Sequence, residues 1–324
     1  MKYRQLGSSG LRVSAIGLGS YLTIGMSIDA AAGQATVNKA FELGINFIDT
    51  ADAYNRGGAE EALGGYLQDV RRQDMVLATK CHATMSDDIN DRGLSAKHIF
   101  EACHNSLRRL NTDYIDLYQC HRPDSSVPLE ETVRAMDDLR RQGKILYWGV
   151  SEWPAWMIAQ ANAIADRYGW APAVSNQPRY NLYYRHPEME LWPYCSRNGV
   201  GNVVFSALAH GMLTGKYQPG ANPAPGTRAA DPKQNMVIKA MYWTEENLKK
   251  SQQFAAIAGD MGIKGSQLAL AWVLRRTEVS SAIIGASHVD QIQENAAAPE
   301  VVIPDDVLTQ LDDIFKPPAQ TYPG

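Results

Sequence analysis

Asn46-Phe47-Ile48-Asp49-Thr50-Ala51-Asp52-Ala53-Tyr54 decides how the chain is read. An apolar run closes on an acid, polar residues follow at once, and no room is left for a helix. That pattern predicts a short strand opening onto the mouth of a parallel sheet, where strand ends present side chains to a ligand. Taken alone, Asp49 reads more simply as a buried acid satisfying loop amides, beside an ordinary surface Tyr54. Two further stretches change the balance. Met75-Val-Leu-Ala-Thr79 is a second short apolar strand ending on Lys80. Tyr114-Ile-Asp-Leu-Tyr118 is a third, leading through Gln119 and Cys120 to His121. Asp49, Tyr54, Lys80 and His121 thus fall at or just past successive strand ends, a candidate catalytic set recognised by joint placement rather than by residue type. A structural Lys80–Asp49 ion pair across the core is the plainer alternative for two of them.

Working outward, the same alternation covers the chain. Residues 1–14 read as a hairpin around Gly7-Ser-Ser-Gly10, placed to plug the closed end of a barrel. Core strands are expected over 15–19, 46–49, 75–80, 114–120, 145–150, 173–177, 201–205 and 281–284. Helical patterns separate most of them, over 31–43, 59–67, 95–110, 128–142, 154–168 and 188–198. Gly44 is a plausible end to the first helix and Ser95 a good N-cap for the third. Two helices, 244–261 and 266–276, precede the last strand, and one over 289–297 follows it. Residues 219–232, with four prolines and two glycines, are expected to form a long loop over the mouth. Eight strands alternating with helices predict an α/β fold, a (β/α)8 TIM barrel, as one domain over 1–324. A doubly wound open sheet competes, but Gly17-Leu-Gly19 lacks the third glycine of a dinucleotide fingerprint.

Composition narrows the function classes. With 324 residues, 45% of them hydrophobic, the chain can bury a large core. Its 31 basic against 35 acidic side chains leave a net charge of −4, which gives no support for nucleic acid or a membrane as the main partner. A local basic pocket for a phosphate remains compatible with it. Cys81, Cys103, Cys120 and Cys195 are widely spaced, and Tyr3-Arg4-Gln5 stands where a secretory leader would; reduced thiols in a cytoplasmic protein are expected. No apolar run approaches the ~20 residues of a membrane span. His82, His98, His104, His186, His210 and His288 share no metal-ligand spacing with His121, so no catalytic metal is expected.

The order Asp49, Tyr54, Lys80, His121, set in Ile-Asp-Thr-Ala-Asp-Ala-Tyr and Asp-Tyr-Ile-Asp-Leu-Tyr-Gln-Cys-His-Arg-Pro-Asp, resembles the aldo-keto reductase superfamily. The likeness runs on through Gly149-Val-Ser151, Ser175-Asn-Gln177, Gly211-Met-Leu-Thr-Gly-Lys216 and Gly285-Ala-Ser287. It looks nearest to the branch of voltage-gated potassium channel β subunits and bacterial glyceraldehyde 3-phosphate reductases. The resemblance implies NADP(H) bound at the barrel mouth, with Asp49, Tyr54, Lys80 and His121 as the catalytic tetrad. It implies a cofactor site from Gly19, Ser20, Tyr21, Asp49, Ser151, Asn176, Gln177, Phe205, Ser206, Leu208, Gly211, Lys216, Arg228, Gly285, Ser287, Gln291, Glu294 and Asn295. Phe205 replaces the Trp or Tyr that this branch often stacks on the nicotinamide, and Ala207 replaces a common Pro. Gln291 stands where strongly NADP-selective relatives often carry Arg. NADPH is therefore the expected cofactor, with some use of NADH.

The residues read consistently with that chemistry. A phenol near pKa 10 is a weak acid, and a neighbouring ammonium improves it as a donor. Lys80 supplies that charge, Asp49 holds Lys80, and His121 bonds the carbonyl oxygen or shares the proton of Tyr54. Tyr21, Met26, Tyr54, Trp153 and the loops 81–94 and 178–187 are expected to shape a pocket for a small carbonyl substrate. The competing class is a channel-β-like redox-sensing subunit; His121 favours the enzyme, because those relatives often carry Asn there.

Overall fold

The computed structural model describes residues 1–318. Its centre is a closed barrel of eight parallel strands: β3 (Ile16–Gly19), β4 (Phe47–Asp49), β5 (Val76–Cys81), β6 (Ile115–Cys120), β7 (Ile145–Ser151), β8 (Ser175–Gln177), β9 (Gly201–Val204) and β10 (Val279–Ile284). The last closes on the first, with Ala282 beside Ile16 and Ile284 beside Leu18. The TIM-barrel expectation is borne out, and the open-sheet alternative falls because a closed ring has no edge.

Side chains alternate in and out along each strand. Phe47, Val76, Ala78, Leu117, Val203 and Ile283 form an inner apolar cluster. Two residues further along, the inward positions become Asp49, Lys80, Gln119 and Phe205. The barrel interior therefore turns from apolar to mostly polar toward the C-terminal ends of its strands. The site sits in that layer.

The predicted hairpin exists as β1 (Tyr3–Gln5) against β2 (Arg12–Ser14). Leu6 and Val13 join the inner cluster from below, so the hairpin does plug the closed end. Arg4 ties it to the barrel by donating to the carbonyls of Leu274, Arg276 and Val279.

The outer helices follow the sequence closely: α1 (Ala30–Glu42), α2 (Gly58–Tyr66), α3 (Ala96–Leu110), α4 (Leu129–Arg141), α5 (Ala155–Tyr168) and α6 (Leu191–Asn198). Ser95 caps α3 by accepting the His98 amide at 3.2 Å, and Gly44 follows α1 at φ +79°. Between β9 and β10 lie α7 (Asn235–Met241), α8 (Glu245–Asp260) and α9 (Gly265–Leu274); α10 (Val289–Ala296) and α11 (Asp305–Ile314) end the described chain. The sequence reading lacked α7 and α11. Among the described residues no helix is long and apolar enough to cross a membrane.

Gly149 is required by close approach. A Cβ there would lie 2.2 Å from Ser175 Oγ and 2.8 Å from the Ser175 carbonyl oxygen on the neighbouring strand. Gly149→Ala must push β7 from β8 in a packed core, a change that costs about 1–3 kcal/mol in overpacked interiors. A lowered denaturation midpoint is expected; an unchanged one would show that the strands yield freely.

Candidate active site

The inward ends of β4 and β5 meet in a buried ion pair. Lys80 Nζ donates to Asp49 Oδ1 at 2.6 Å and to the Thr50 carbonyl at 2.7 Å, and both side chains are essentially inaccessible. Its third neighbour is the Tyr54 hydroxyl at 3.4 Å. Burial pulls the Lys80 ammonium down, yet Asp49 and Tyr54 together hold it above its ordinary value. Asp49 is itself fixed by Gln177 Nε2 at 2.8 Å and Gln119 Nε2 at 3.4 Å, both on its Oδ2.

Tyr54 leaves the strand in a short 3-10 turn (Tyr54–Gly57), which carries its ring over Lys80 and beside His121. The Tyr54 and His121 rings meet edge to face, 5.7 Å between centroids. The sequence led us to expect a lowered phenol. Burial instead raises it; the charge of Lys80 works against that rise without overcoming it. His121 moves the other way. Burial, then Lys80, Arg122 and His82, push it down to about 2, so the imidazole is neutral at ordinary pH. Its backbone amide is held by the Cys81 carbonyl at 2.8 Å. All four sequence-predicted residues are therefore in one cluster.

The expected cofactor residues divide into three groups. Around the cluster, Gly19 is packed so closely that a Cβ would lie 2.6 Å from Ile283, Ser20 Oγ donates to Thr50, and the Tyr21 ring lies 5.0 Å from that of Tyr54. Ser151 Oγ donates to the Gln177 carbonyl, and Asn176 Nδ2 donates to that of Trp153, while the buried Asn176 Oδ1 has no partner. Past β9, Phe205 pairs with Arg179 in a parallel bridge, and the buried Ser206 Oγ is also unpartnered. Leu208 accepts the Gly211 amide at the start of the irregular turn, and Gly211 lets Lys216 lie close against it. Arg228 reaches His210 Nδ1 at 3.3 Å. Neither Lys216 nor Arg228 makes an ion pair among the described residues, and burial lowers both.

At β10, Gly285 is exposed and leads to Ser287, whose backbone N–H donates to Gln291 Oε1 at 2.9 Å. Gln291 thus caps the helix start from within. Glu294 turns instead to Ser266, and Asn295 is buried with its Oδ1 unpartnered. The polar atoms of these three residues therefore point to different neighbours.

Of the expected pocket residues, Tyr21 and Met26 are exposed at the rim, whereas Trp153 is buried. Sequence reasoning missed Gln119, although its place two residues before His121 already put it inward. It also missed Arg122, which donates to the His121 carbonyl at 2.6 Å and to Ser151 Oγ at 3.3 Å. Among the described residues no group of three or more His, Cys, Asp or Glu side chains is placed to hold a metal ion.

Comparison with known proteins agrees with this geometry. Residues 15–316 match the aldo/keto reductase family. A probable voltage-gated potassium channel subunit beta of Oryza sativa subsp. japonica is 40% identical over 305 residues, 93% of this chain and 92% of the relative. Its Arabidopsis thaliana counterpart gives the same figures. A putative subunit of that name from Schizosaccharomyces pombe is 39% identical over 323 residues, 97% and 93% of the two chains. With a barrel of this topology, an Asp-Tyr-Lys-His cluster at its mouth and a match spanning nearly its whole length, the chain belongs to the aldo/keto reductase family.

Proposed function

We propose that this protein is an NADP(H)-dependent oxidoreductase that reduces small aldehydes or ketones to alcohols, with Tyr54 as the general acid. The observation that carries the reading is the Lys80 ammonium, buried between Asp49 and the Tyr54 hydroxyl. A charge so placed acts on the phenol that must release a proton. Its inaccessibility makes it more than an ordinary surface ion pair.

Members of this family generally use NAD(P)H. The residues present suit such a ligand: unpartnered Asn176 Oδ1 and Ser206 Oγ, together with Lys216 and Arg228, offer an acceptor, a hydroxyl and two cations. Ser151, Asn176 and Gln177 would hold the nicotinamide amide; Lys216 and Arg228 would hold phosphate, and Gly285 and the start of α10 the adenosine. When bound, NADPH would supply the hydride.

The chain's own residues supply the proton and its control. Tyr54 stays a phenol at neutral pH, because burial raises it. Lys80 favours phenolate as the proton leaves, and Asp49, gripped by Gln119 and Gln177, keeps Lys80 charged and in place. His121 is neutral, so it serves as a hydrogen-bond donor to the carbonyl oxygen rather than as the acid.

The test is to titrate the protein with NADPH and NADH and follow NADPH consumption against a panel of aldehydes. NADPH should bind more tightly, because a 2′-phosphate gains from the backbone N–H groups at Ser287 and the positive end of α10, on the order of 0.3–1 kcal/mol per interaction. It must displace Gln291 from the Ser287 amide, so the preference should be modest. Ser287→Asp should weaken NADPH by repulsion and spare NADH. Failure to consume NADPH with any aldehyde sinks the reductase reading, and an unaltered affinity ratio in the mutant removes the phosphate from α10. A second reading, a redox-sensing subunit of a channel, is favoured by the names of the relatives. It expects tight NADPH binding with only slow turnover.

A further inference from the structure

Arg179 stands apart from the other mouth residues. It continues the inward set of β8, since Ser175, Gln177 and Arg179 alternate with the outward positions. It is the bridge partner of Phe205 on the next strand, and therefore that ring's lateral neighbour. Its guanidinium is stacked over Tyr184, with Cζ 3.6 Å from the ring centroid. Stacking of this kind fixes the plane of the fork while leaving its edge available.

Yet the fork holds no acceptor oxygen. Nη1 contacts only the Met241 sulfur at 3.2 Å, and the buried Nε has no partner at all. Glu152 accepts the Arg179 backbone amide at 2.6 Å, and the guanidinium makes no ion pair among the described residues. His210, kept neutral by burial with Arg228 and Arg179 beside it, adds no negative charge. A buried, oriented guanidinium N–H without an acceptor is costly unless an anion completes it. In a protein of net charge −4, such a group is not explained by general attraction.

We propose that Arg179 is an anion anchor of the substrate pocket, and that the preferred carbonyl substrate carries a carboxylate or phosphate. The proposal rests on the reductase reading above and deepens it. Strand order separates this anchor from the adenosine end: Arg179 lies on the β8 side of Phe205, whereas Ser287 follows β10 on the other. The substrate's anion would accept from the unpartnered Nε–H and from Nη2, which shares that edge of the guanidinium. Its carbonyl would then reach toward Tyr54.

The first measurement needs no turnover. Succinate, an unreactive dicarboxylate, should bind the protein saturated with NADP+, and Arg179→Leu should weaken it on the order of tenfold or more, the usual weight of a charge-assisted bidentate contact. Arg179→Lys should restore only part, because a point charge lacks the fork. The second compares succinic semialdehyde with butanal, of equal chain length, and glyceraldehyde 3-phosphate with glyceraldehyde. In the wild type the anionic member of at least one pair should have the higher kcat/KM, and Arg179→Leu should bring that ratio toward one; the pair affected tells carboxylate from phosphate. Succinate affinity unchanged by the mutation, or kcat/KM lost equally for charged and neutral aldehydes, overturns the anchor. So does a tenfold loss of NADPH affinity in Arg179→Leu, which would make Arg179 a cofactor ligand. A wild type that reduces neither member of either pair with NADPH overturns the reductase reading instead, while succinate binding still judges the anchor.

Discussion

Tyr54→Phe should bind NADPH as tightly as the wild type and lose reductase turnover by roughly 10²–10⁴-fold, the range that a positioned general acid contributes. Only the hydroxyl is removed. The ring keeps its edge contact with His121 and its place over Lys80. The lost proton is needed in the transition state and not for cofactor binding, so the deficit belongs in kcat. A neutral His121, pushed down to about 2, has no acidic proton to substitute. Fluorescence titration with NADPH, alongside steady-state kinetics, separates the two effects. Turnover surviving within a few-fold, with cofactor binding intact, would remove Tyr54 from the role. The equivalent change at Lys80 is less clean, because it would strand the buried Asp49 carboxylate and so disturb folding as well as chemistry.

Asp52→Asn should stabilise the protein, and increasingly so as the pH rises. Asp52 is fully buried, neither of its side-chain oxygens has a hydrogen-bond partner, and the Arg109 guanidinium nearby is already engaged by Glu60 at 2.7 Å. Burial first, and Glu60 second, push its carboxyl up to about 8, against weaker opposition from the Ala53 amide, Arg109 and Lys80. The folded protein thus holds this proton more tightly than the unfolded chain does. Its favourable contribution is complete below the unfolded carboxyl value near 4 and is lost as pH rises through about 8. Asn removes that dependence. The stability gap between mutant and wild type should widen by up to about 1.4 kcal/mol per pH unit across that window. An unsatisfied amide in its place offsets roughly 1–3 kcal/mol of the gain. Chemical denaturation at several pH values between 5 and 8 tests this; parallel curves for the two proteins would show that Asp52 stays charged, or finds a partner, in the fold.

The four clustered side chains were legible because each follows an apolar run too short for a helix, and strand ends in a parallel barrel converge. What they do to one another was less legible. A sequence places Lys80 near Tyr54 but carries no measure of burial, and burial reverses the expected direction for the phenol. The same gap hid Gln119 and Gln177 as the clamp on Asp49. α11 had a readable signal in Val307, Leu308, Leu311 and Ile314, spaced for one helical face after Pro304. α7 had little: seven residues with Ile238 as the buried anchor are held by the surrounding fold more than by their own pattern. Arg179 lay within a loop already assigned to the pocket, but only its stacking on Tyr184 sets it apart from a solvated arginine.

The closure of β10 on β3, with Arg4 reaching the carbonyls around β10, has a consequence for how the molecule is made. During translation β3 emerges early, while β10, the strand that closes on it, lies more than two hundred residues downstream. A nascent chain that stops short of Val279 carries β3 and β9 as raw edges, and Leu6 and Val13 lack the contact with Ile283. Open edges of that kind invite pairing with other chains, and contacts so distant in sequence form slowly. The ring can therefore shut only once β10 has emerged, which leaves a long interval with open edges. Chaperone dependence is to be sought in that interval rather than in the stability of the finished barrel.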